Sequence, residues 1–212
     1  MIPVKICCIQ SIEEAALAVS AGARAVGLVS EMPSGWGPIP EERIARIAAT
    51  VPPMVSSVLL SSKPTAAEII DQIQRCKTNA VQIVDEFPIE GYAAIRDACP
   101  GVEIYQAVHV LDESAIDQAQ ALASEVDGLI LDTGSPHSEV KVLGGTGKTH
   151  DWSISRRIVD EVSCPVFLAG GLKPENISEA IETVRPYGID LCTGVRRDLA
   201  LHPAVLARFI RA

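Results

Sequence analysis

The sequence predicts an α/β fold, a single-domain (β/α)8 TIM barrel, and three observations point to it. Apolar runs alternate with helix-like segments eight times along the 212 residues, and strict alternation implies parallel strands joined by right-handed crossovers. Hydrophobic residues make up 48% of the chain but aromatic residues only 4%, so aliphatic side chains are expected to fill buried parallel strands. No change in composition marks a linker, so residues 1–212 are expected to form one domain.

The eight strands are predicted from short apolar runs that lie between turn residues. They cover Val4 to Ile9, Ala25 to Val29, Met54 to Leu60, Ala80 to Val84, Glu103 to Val108, Gly128 to Leu131, Pro165 to Ala169 and Ile189 to Cys192. Ser11 and Glu14 form a capping-box pattern for the first helix, and Gly22 is expected to end it. Asp151 is the expected N-cap of the sixth helix.

The helices are predicted from apolar residues at helical spacing, one helix after each strand. After the helix between Ser11 and Gly22 they cover Pro40 to Ala49, Thr65 to Cys76, Pro88 to Cys99, Glu113 to Ser124, Trp152 to Val162, Pro174 to Val184 and Pro203 to Ile210. An open, doubly wound sheet is the rival architecture, and it usually carries a glycine fingerprint after its first strand. Here that turn is Gln10-Ser11, which favours the closed barrel.

Composition excludes several classes of partner. The net charge of -9 and the pI near 4.9 argue against broad binding of nucleic acid or of an acidic membrane. The N-terminal residues run directly into a strand-like segment rather than a signal peptide, and no apolar stretch is long enough for a membrane span. We therefore expect a cytoplasmic protein with reduced cysteines. The six cysteines and four histidines show no metal-ligand spacing, so no metal site is expected.

The segment from Gly128 to Trp152 is the most informative stretch. Asp132 follows a buried strand, where a carboxylate needs partners or a task. The following glycine-rich loop can bring backbone N–H groups close to an anion. It is not a nucleotide-binding P-loop, because Val142 stands where that motif requires glycine. A flexible surface loop remains the plain alternative.

Phosphate is expected at the loops after the seventh and eighth strands, as is usual in TIM barrels. Both loops carry glycine here, AGGL from Ala169 and CTGV from Cys192. Together with the loop after the sixth strand they place three glycine turns on one rim. The predicted phosphate-binding residues are Gly144, Gly145, Thr146, Gly170, Gly171, Thr193 and Gly194.

Several motifs resemble phosphoribosylanthranilate isomerase of tryptophan biosynthesis, in order and along the whole chain. They are VKIC at Val4, LILD at Leu129, GGTGKTHDW at Gly144, LAGGLKPENISEAI at Leu168 and VRPYGID at Val184. The resemblance implies a small (β/α)8 barrel and an Amadori rearrangement of an aminoaldose phosphate, with no metal and no organic cofactor. It also implies that Cys7 is the general base.

The chemistry of the rearrangement fits Cys7 and Asp132. Opening the sugar ring requires an acid, and Asp132 can serve if its site keeps it protonated. Cys7 can take the proton from the second sugar carbon as a thiolate, which requires an electropositive setting. The plain alternatives are that Cys7 is a small buried hydrophobe and that Asp132 caps a loop.

The sequence departs from the family pattern around the aromatic part of the substrate. Cys8 stands where the family has glycine, and strand alternation predicts that it points into the helix layer. Trp36 stands in the turn where the family's arginine is expected to hold the anthranilate carboxylate, and it could stack on an aromatic ring or plug the mouth. Gln82 lies on the fourth strand, after which the family's histidine is absent.

A charge is also reversed after the eighth strand, where the family has glutamate and this chain has Arg196. Arg196 or Arg197 could supply the missing cation; the alternative is that both are solvated charges or phosphate neighbours. We therefore keep three hypotheses for a cofactor-free monomer or homodimer. They are the family's isomerase, a divergent isomerase acting on another phosphorylated aminosugar, and a non-catalytic phosphosugar-binding barrel.

Overall fold

The predicted barrel is confirmed. A computed structural model describes residues 2–134, 141, 143, 147 and 149–210, and these contain a closed barrel of eight parallel strands in sequence order. The strands are β1 Val4–Ile6, β2 Ala25–Val29, β3 Ser56–Ser61, β4 Ala80–Ile83, β5 Glu103–His109, β6 Gly128–Asp132, β7 Val166–Leu168 and β8 Gly188–Leu191. Pairing of β8 with β1 closes the barrel.

A helix follows each barrel strand. The helices are α1 Ile12–Ala21, α2 Glu41–Ala48, α3 Ala66–Cys76, α4 Ile89–Ala98, α5 Ser114–Leu122, α6 Trp152–Glu161, α7 Ile177–Val184 and α8 Pro203–Ile210. The predicted caps are present: Ser11 Oγ accepts from Glu14 N, Asp151 accepts from Ser153 N, and Gly22 ends α1 in the left-handed conformation. In the described residues we find no helix with the length and apolarity that a bilayer crossing requires.

Two elements were not predicted from the sequence, and both follow β8. A 3-10 helix spans Thr193–Val195, and a short antiparallel hairpin pairs β9, Arg196–Arg197, with β10, Ala200–Leu201. The loop after β8 therefore folds back over the C-terminal end of β1, which places Arg196 next to the first βα loop.

The core has two layers, as strand alternation predicts. Outward-facing side chains such as Ile6, Leu28 and Leu129 pack against the helices and are fully buried. A smaller cluster inside the barrel includes Cys7, Val58 and other aliphatic side chains. The barrel interior also holds buried polar side chains, so it serves as the floor of a site as well as a core.

The most unusual of these buried groups is an ion pair at the barrel seam. Lys5 on β1 and Asp190 on β8 are register partners, and Lys5 Nζ lies 2.5 Å from Asp190 Oδ2. The two side chains are only 4% and 7% exposed. Breaking a buried pair leaves an uncompensated charge, whereas replacing both members by apolar groups is often tolerated.

We expect Lys5→Met to lower the free energy of unfolding by about 3–5 kcal/mol, because it leaves the Asp190 carboxylate buried and unpaired. The double variant Lys5→Met/Asp190→Leu should recover most of this loss. Urea denaturation at neutral pH measures both quantities. A single variant within about 1 kcal/mol of the parent would show that the pair does not hold the seam.

Candidate active site

A pocket opens at the C-terminal ends of the strands, where TIM-barrel sites form. It brings together residues from the loops after β1 and β2, from β4 and β6, and from the loops after β7 and β8. The predicted site residues among its lining are Cys7, Trp36, Gln82, Asp132, Gly170, Gly171, Thr193 and Gly194. The predicted residues Gly144, Gly145 and Thr146 lie outside the described part of the chain.

Cys7 directly follows β1 and turns inward, as Lys5 does two residues earlier. Its backbone N–H donates to the carbonyl of Leu191 at 2.7 Å, and its side chain is buried against the pocket. A Cβ on Gly27 would lie 2.8 Å from Cys7 Sγ, so a glycine on β2 gives the thiol its room. These contacts fix the thiol at the base of the pocket.

The surroundings of Cys7 favour its thiolate. A hydrogen bond from the Cys8 thiol lowers the pKa of Cys7, and the positive charge of Lys5 lowers it further. Burial and the Asp190 carboxylate act in the opposite direction but do not outweigh these effects. A thiolate is the form of cysteine that can act as a base or nucleophile.

Asp132 ends β6 on another part of the pocket wall, and its surroundings favour the protonated, neutral form of its carboxyl group. Burial raises the pKa of its carboxyl to about 7, although a hydrogen bond from the Thr133 N–H to Oδ1, 2.7 Å long, acts to lower it. A Cβ on Gly170 would come within 3.1 Å of Asp132 Oδ1, so the loop after β7 also confines the carboxyl. A carboxyl with this pKa still carries a proton in a large fraction of molecules near neutral pH.

The Lys5–Asp190 ion pair affects the pKa values of both Cys7 and Asp132. Asp190 adds to the raised pKa of Asp132 through its negative charge, while Lys5 opposes it and favours the Cys7 thiolate. For Lys5 itself, burial would lower the pKa, but the nearby carboxylate of Asp190 more than compensates and raises it. Lys5 therefore stays cationic beneath the pocket.

His150, which sequence reasoning missed, does not line the pocket but contacts the residue that follows Asp132. Its Nδ1 lies 3.0 Å from Thr133 Oγ1 and its Nε2 lies 2.7 Å from Ser155 Oγ. Burial lowers the pKa of this imidazole to about 4, so it is neutral near pH 7 and supports the loop beside Asp132. The only sequence signal was its position immediately before the N-cap Asp151.

The glycine turns after β7 and β8 lie together on the rim, as predicted. Gly170 and Gly171 have φ values of 79° and 63°, a conformation that glycine adopts without strain. A Cβ on Gly194 would collide with the carbonyl of Leu172. Gly147 also lines the pocket, and a Cβ there would lie 4.0 Å from Thr193 Oγ1, so the loop after β6 reaches the same rim.

The predicted orientation of Cys8 is wrong. Strand β1 ends at Ile6 rather than Ile9, and Cys8 has a φ of 60°, which breaks the alternation on which that prediction relied. Cys8 lines the pocket instead, with its Sγ 2.8 Å from Cys192 Sγ. Left-handed backbone is normally reserved for glycine, which is the residue that the resemblance places at this position.

Trp36 and Arg196 are in contact, but only Trp36 lines the pocket. The guanidinium carbon of Arg196 lies 4.8 Å from the centre of the Trp36 ring. The Arg196 side chain is 3% exposed, and its Nη1 lies 2.9 Å from Glu14 Oε1. It is therefore not a solvated surface charge, and an acidic partner already occupies its guanidinium.

Gln82 points into the pocket from β4. It is buried, and its Oε1 has no hydrogen-bond partner among the described residues. The same holds for Asp190 Oδ1. Both are buried acceptors on residues that line the pocket. In the described part of the chain, no group of three or more His, Cys, Asp or Glu side chains could hold a metal ion.

The sequence matches a family model described as N-(5'-phosphoribosyl)anthranilate isomerase over residues 4–210. A curated protein of that name from Methanocella arvoryzae is 35% identical over 198 residues, which cover 93% of this chain and 91% of the relative. One from Halobacterium salinarum is 36% identical over 217 residues, covering 100% and 96%. The chain belongs to the phosphoribosylanthranilate isomerase family.

Solved structures of this isomerase family share the whole barrel. The enzyme from Thermotoga maritima superposes with a TM-score of 0.85 at 33% identity, covering 100% of this chain and 98% of that one. A second isomerase structure, a complex with reduced 1-(o-carboxyphenylamino)-1-deoxyribulose 5-phosphate, gives 0.83 at 30% identity, with 100% and 97% coverage. The barrel of this chain is therefore that of the isomerase family throughout.

The raised pKa of Asp132 predicts a pH-dependent cost to stability. Since the folded state binds the proton more tightly than the unfolded state, stability falls as pH rises from about 4 to about 7. Asp132→Asn removes this titration and should be more stable than the parent at pH 8, by roughly 2 kcal/mol because pocket water screens part of the effect.

Thermal unfolding of both proteins at pH 4 and pH 8 checks this. The advantage of Asp132→Asn should be larger at pH 8. An advantage of the same size at both pH values would show that Asp132 ionises normally in the folded protein.

Proposed function

We propose that this chain isomerises N-(5'-phosphoribosyl)anthranilate to the carboxyphenylamino-deoxyribulose phosphate, a step of tryptophan biosynthesis, with Cys7 as general base and Asp132 as general acid. One observation carries the assignment of roles. Within a single pocket of this family's barrel, the pKa of the Cys7 thiol is lowered and the pKa of the Asp132 carboxyl is raised. Pairs of groups whose surroundings push their pKa values apart are typical of acid–base sites.

Asp132 performs the first step by donating its proton to the ring oxygen of the sugar. The bond from that oxygen to the first sugar carbon breaks, and the lone pair of the anthranilate nitrogen forms a double bond to that carbon. The product is an open-chain iminium ion. Its positive charge makes the hydrogen on the second sugar carbon acidic. The burial of Asp132 supports this role because it keeps the donor protonated.

Cys7 performs the second step by removing that hydrogen as a proton. The electrons of the carbon–hydrogen bond form a carbon–carbon double bond, and those of the iminium bond return to nitrogen. The resulting enolamine then gains a proton at the first carbon and loses one from its hydroxyl group, which yields the aminoketose. The base needs a thiolate, and the Cys8 hydrogen bond and the Lys5 charge support that form.

The phosphate of the substrate is assigned to the glycine rim. Gly170, Gly171, Thr193 and Gly194 line the pocket at the loops after β7 and β8, where barrels commonly hold phosphate. The sugar then extends towards Cys7 and Asp132, and the aryl group towards Trp36. Gly144, Gly145 and Thr146 are proposed to complete the rim on the evidence of the sequence.

A second candidate is an isomerase that uses the same mechanism on another phosphorylated aminosugar. The observation that favours it is Trp36, which stands where the resemblance expects the carboxylate-binding arginine.

Oligomeric state is proposed as monomer or homodimer; one relative from Thermotoga maritima is described as dimeric. Size-exclusion chromatography with light scattering distinguishes the two states.

We expect Cys7→Ser and Asp132→Asn each to lower kcat by roughly 10²–10⁴-fold, the usual contribution of a positioned acid or base. Both variants should bind the reduced product analogue nearly as well as the parent, because the phosphate rim is intact. The assay follows the loss of substrate fluorescence, and calorimetry measures analogue binding. Turnover in the parent that neither substitution reduces would refute the assigned roles.

The pH profile of the parent gives an independent check. Activity should fall at low pH, where Cys7 is protonated, and at high pH, where Asp132 is ionised, so kcat/KM follows a bell. If the parent binds the analogue but does not turn over phosphoribosylanthranilate at any pH, the second candidate replaces the first. Other arylamine and alkylamine ribose phosphates would then be assayed.

A further inference from the structure

We propose that Arg196 is a positioning residue for this reaction, which holds the Cys7–Cys8 backbone and the Trp36 ring as one unit. The proposal rests on the assignment of Cys7 as the base. Arg196 is not itself among the residues that line the pocket, but it contacts three that are, Cys7, Cys8 and Trp36. It acts through the thiol turn on one side and through the aromatic wall on the other.

The contacts of Arg196 with the thiol turn are direct. Nη2 donates to the carbonyl of Cys8 at 2.6 Å and to the carbonyl of Cys7 at 3.2 Å. Cys8 holds a left-handed φ of 60°, a conformation that is strained for a non-glycine residue and requires support from its surroundings. Hydrogen bonds to the carbonyls on both sides of this turn supply that support, since charged donors make strong hydrogen bonds.

Glu14 balances the buried charge of Arg196. Both carboxylate oxygens of Glu14 contact the guanidinium, at 2.9 Å and 3.2 Å. The same carboxylate accepts from the N–H of Gln10 and of Leu201, each at 3.0 Å. Burial alone would raise the pKa of Glu14, but these donors lower it, so the carboxylate stays ionised. The pair thus joins helix α1, the first βα loop and the β9–β10 hairpin.

The other face of Arg196 supports Trp36. With its centre 4.8 Å from the guanidinium carbon, the ring is within the range of a cation–π contact. The Trp36 loop has a second tie to the same unit, because Gln10 Nε2 donates to the carbonyl of Gly37 at 2.7 Å. Trp36 lines the pocket, so its orientation sets the wall that an aryl group would meet.

Removal of Arg196 should have two separable effects, one on Cys7 and one on Trp36. If the guanidinium is removed, the Cys7 and Cys8 carbonyls lose their donor, the left-handed Cys8 turn can relax and shift its thiol relative to Cys7, and the pKa of Cys7 is expected to rise. Without its cationic support, the Trp36 ring can also leave the wall. Loss of Arg196 should therefore affect both the base and the aryl subsite, although it contacts the substrate in neither place.

The test compares three variants in the full chain. Arg196→Gln should raise the pKa of Cys7, weaken binding of the reduced product analogue and lower kcat/KM by roughly 10- to 100-fold, as small misplacements at a reacting centre do. Cys8→Gly, which suits a positive φ, should raise the pKa of Cys7 alone. Trp36→Leu should weaken analogue binding alone, by roughly 3- to 10-fold.

The pKa of Cys7 is read from the pH dependence of its alkylation by iodoacetamide, with the modified cysteine located by tandem mass spectrometry. Arg157→Gln is the matched control, because it removes an arginine from an exposed ion pair with Glu113 and should change neither quantity. An Arg196→Gln protein that folds and keeps the parent's thiol pKa and analogue affinity would overturn the proposal.

If Arg196→Gln does not fold, Arg196→Lys carries the test. Lysine keeps the charge but lacks the planar fork that serves the two carbonyls and Glu14 together. It should show the same two changes to a smaller extent, and parent-like values for both would overturn the proposal. The thiol measurement needs no turnover, so a failure of the proposed reaction remains distinguishable from a failure of the role of Arg196.

Discussion

The floor of the candidate site depends on a buried ion pair at the seam where β1 and β8 close the barrel. Lys5 and Asp190 meet across the β1–β8 seam with almost no exposure to solvent. Such a pair is costly to desolvate and offers no general gain in stability over apolar packing. What the pair contributes here is the placement of two charges. Lys5 lies close enough to act on Cys7 as a positive charge, and Asp190 lies close enough to act on Asp132 as a negative charge. The pair therefore adds to two shifts that have larger causes, the Cys8 hydrogen bond for the lowered pKa of Cys7 and burial for the raised pKa of Asp132.

Above the Lys5–Asp190 pair, the loops after β1, β2 and β8 contact one another. Cys8 takes a conformation suited to glycine, and the network of Glu14 and Arg196 holds it there. The same network supports Trp36, which stands where the resemblance expects an arginine. Under the proposed assignment, the cation on this side of the pocket is Arg196, which lies behind the Trp36 ring rather than in the pocket lining.

The sequence was sufficient for the fold because the barrel follows from local signals: eight alternating units, apolar strands, and caps such as Ser11 and Asp151. The sequence also predicted that Cys7, Asp132 and the glycine rim lie at the same end of the barrel, because the strand order of a barrel fixes that placement. It failed where contacts are long-range. Glu14 was interpreted as a local cap, but its carboxylate binds Arg196, 182 positions away. The direction of Cys8 depended on a single backbone angle that alternation does not predict, and the support from His150 carried no clear signal.

The most direct test of this account is a crystal structure of the chain with the reduced product analogue, 1-(o-carboxyphenylamino)-1-deoxyribulose 5-phosphate in reduced form. The account predicts the phosphate at Gly170, Gly171, Thr193 and Gly194, and the aryl ring against Trp36. The second sugar carbon should lie next to Cys7 Sγ, with the Asp132 carboxyl within hydrogen-bonding distance of the sugar oxygen on the other side. A complex in which Cys7 and Asp132 do not flank the sugar, or in which the phosphate lies away from the glycine rim, would contradict it.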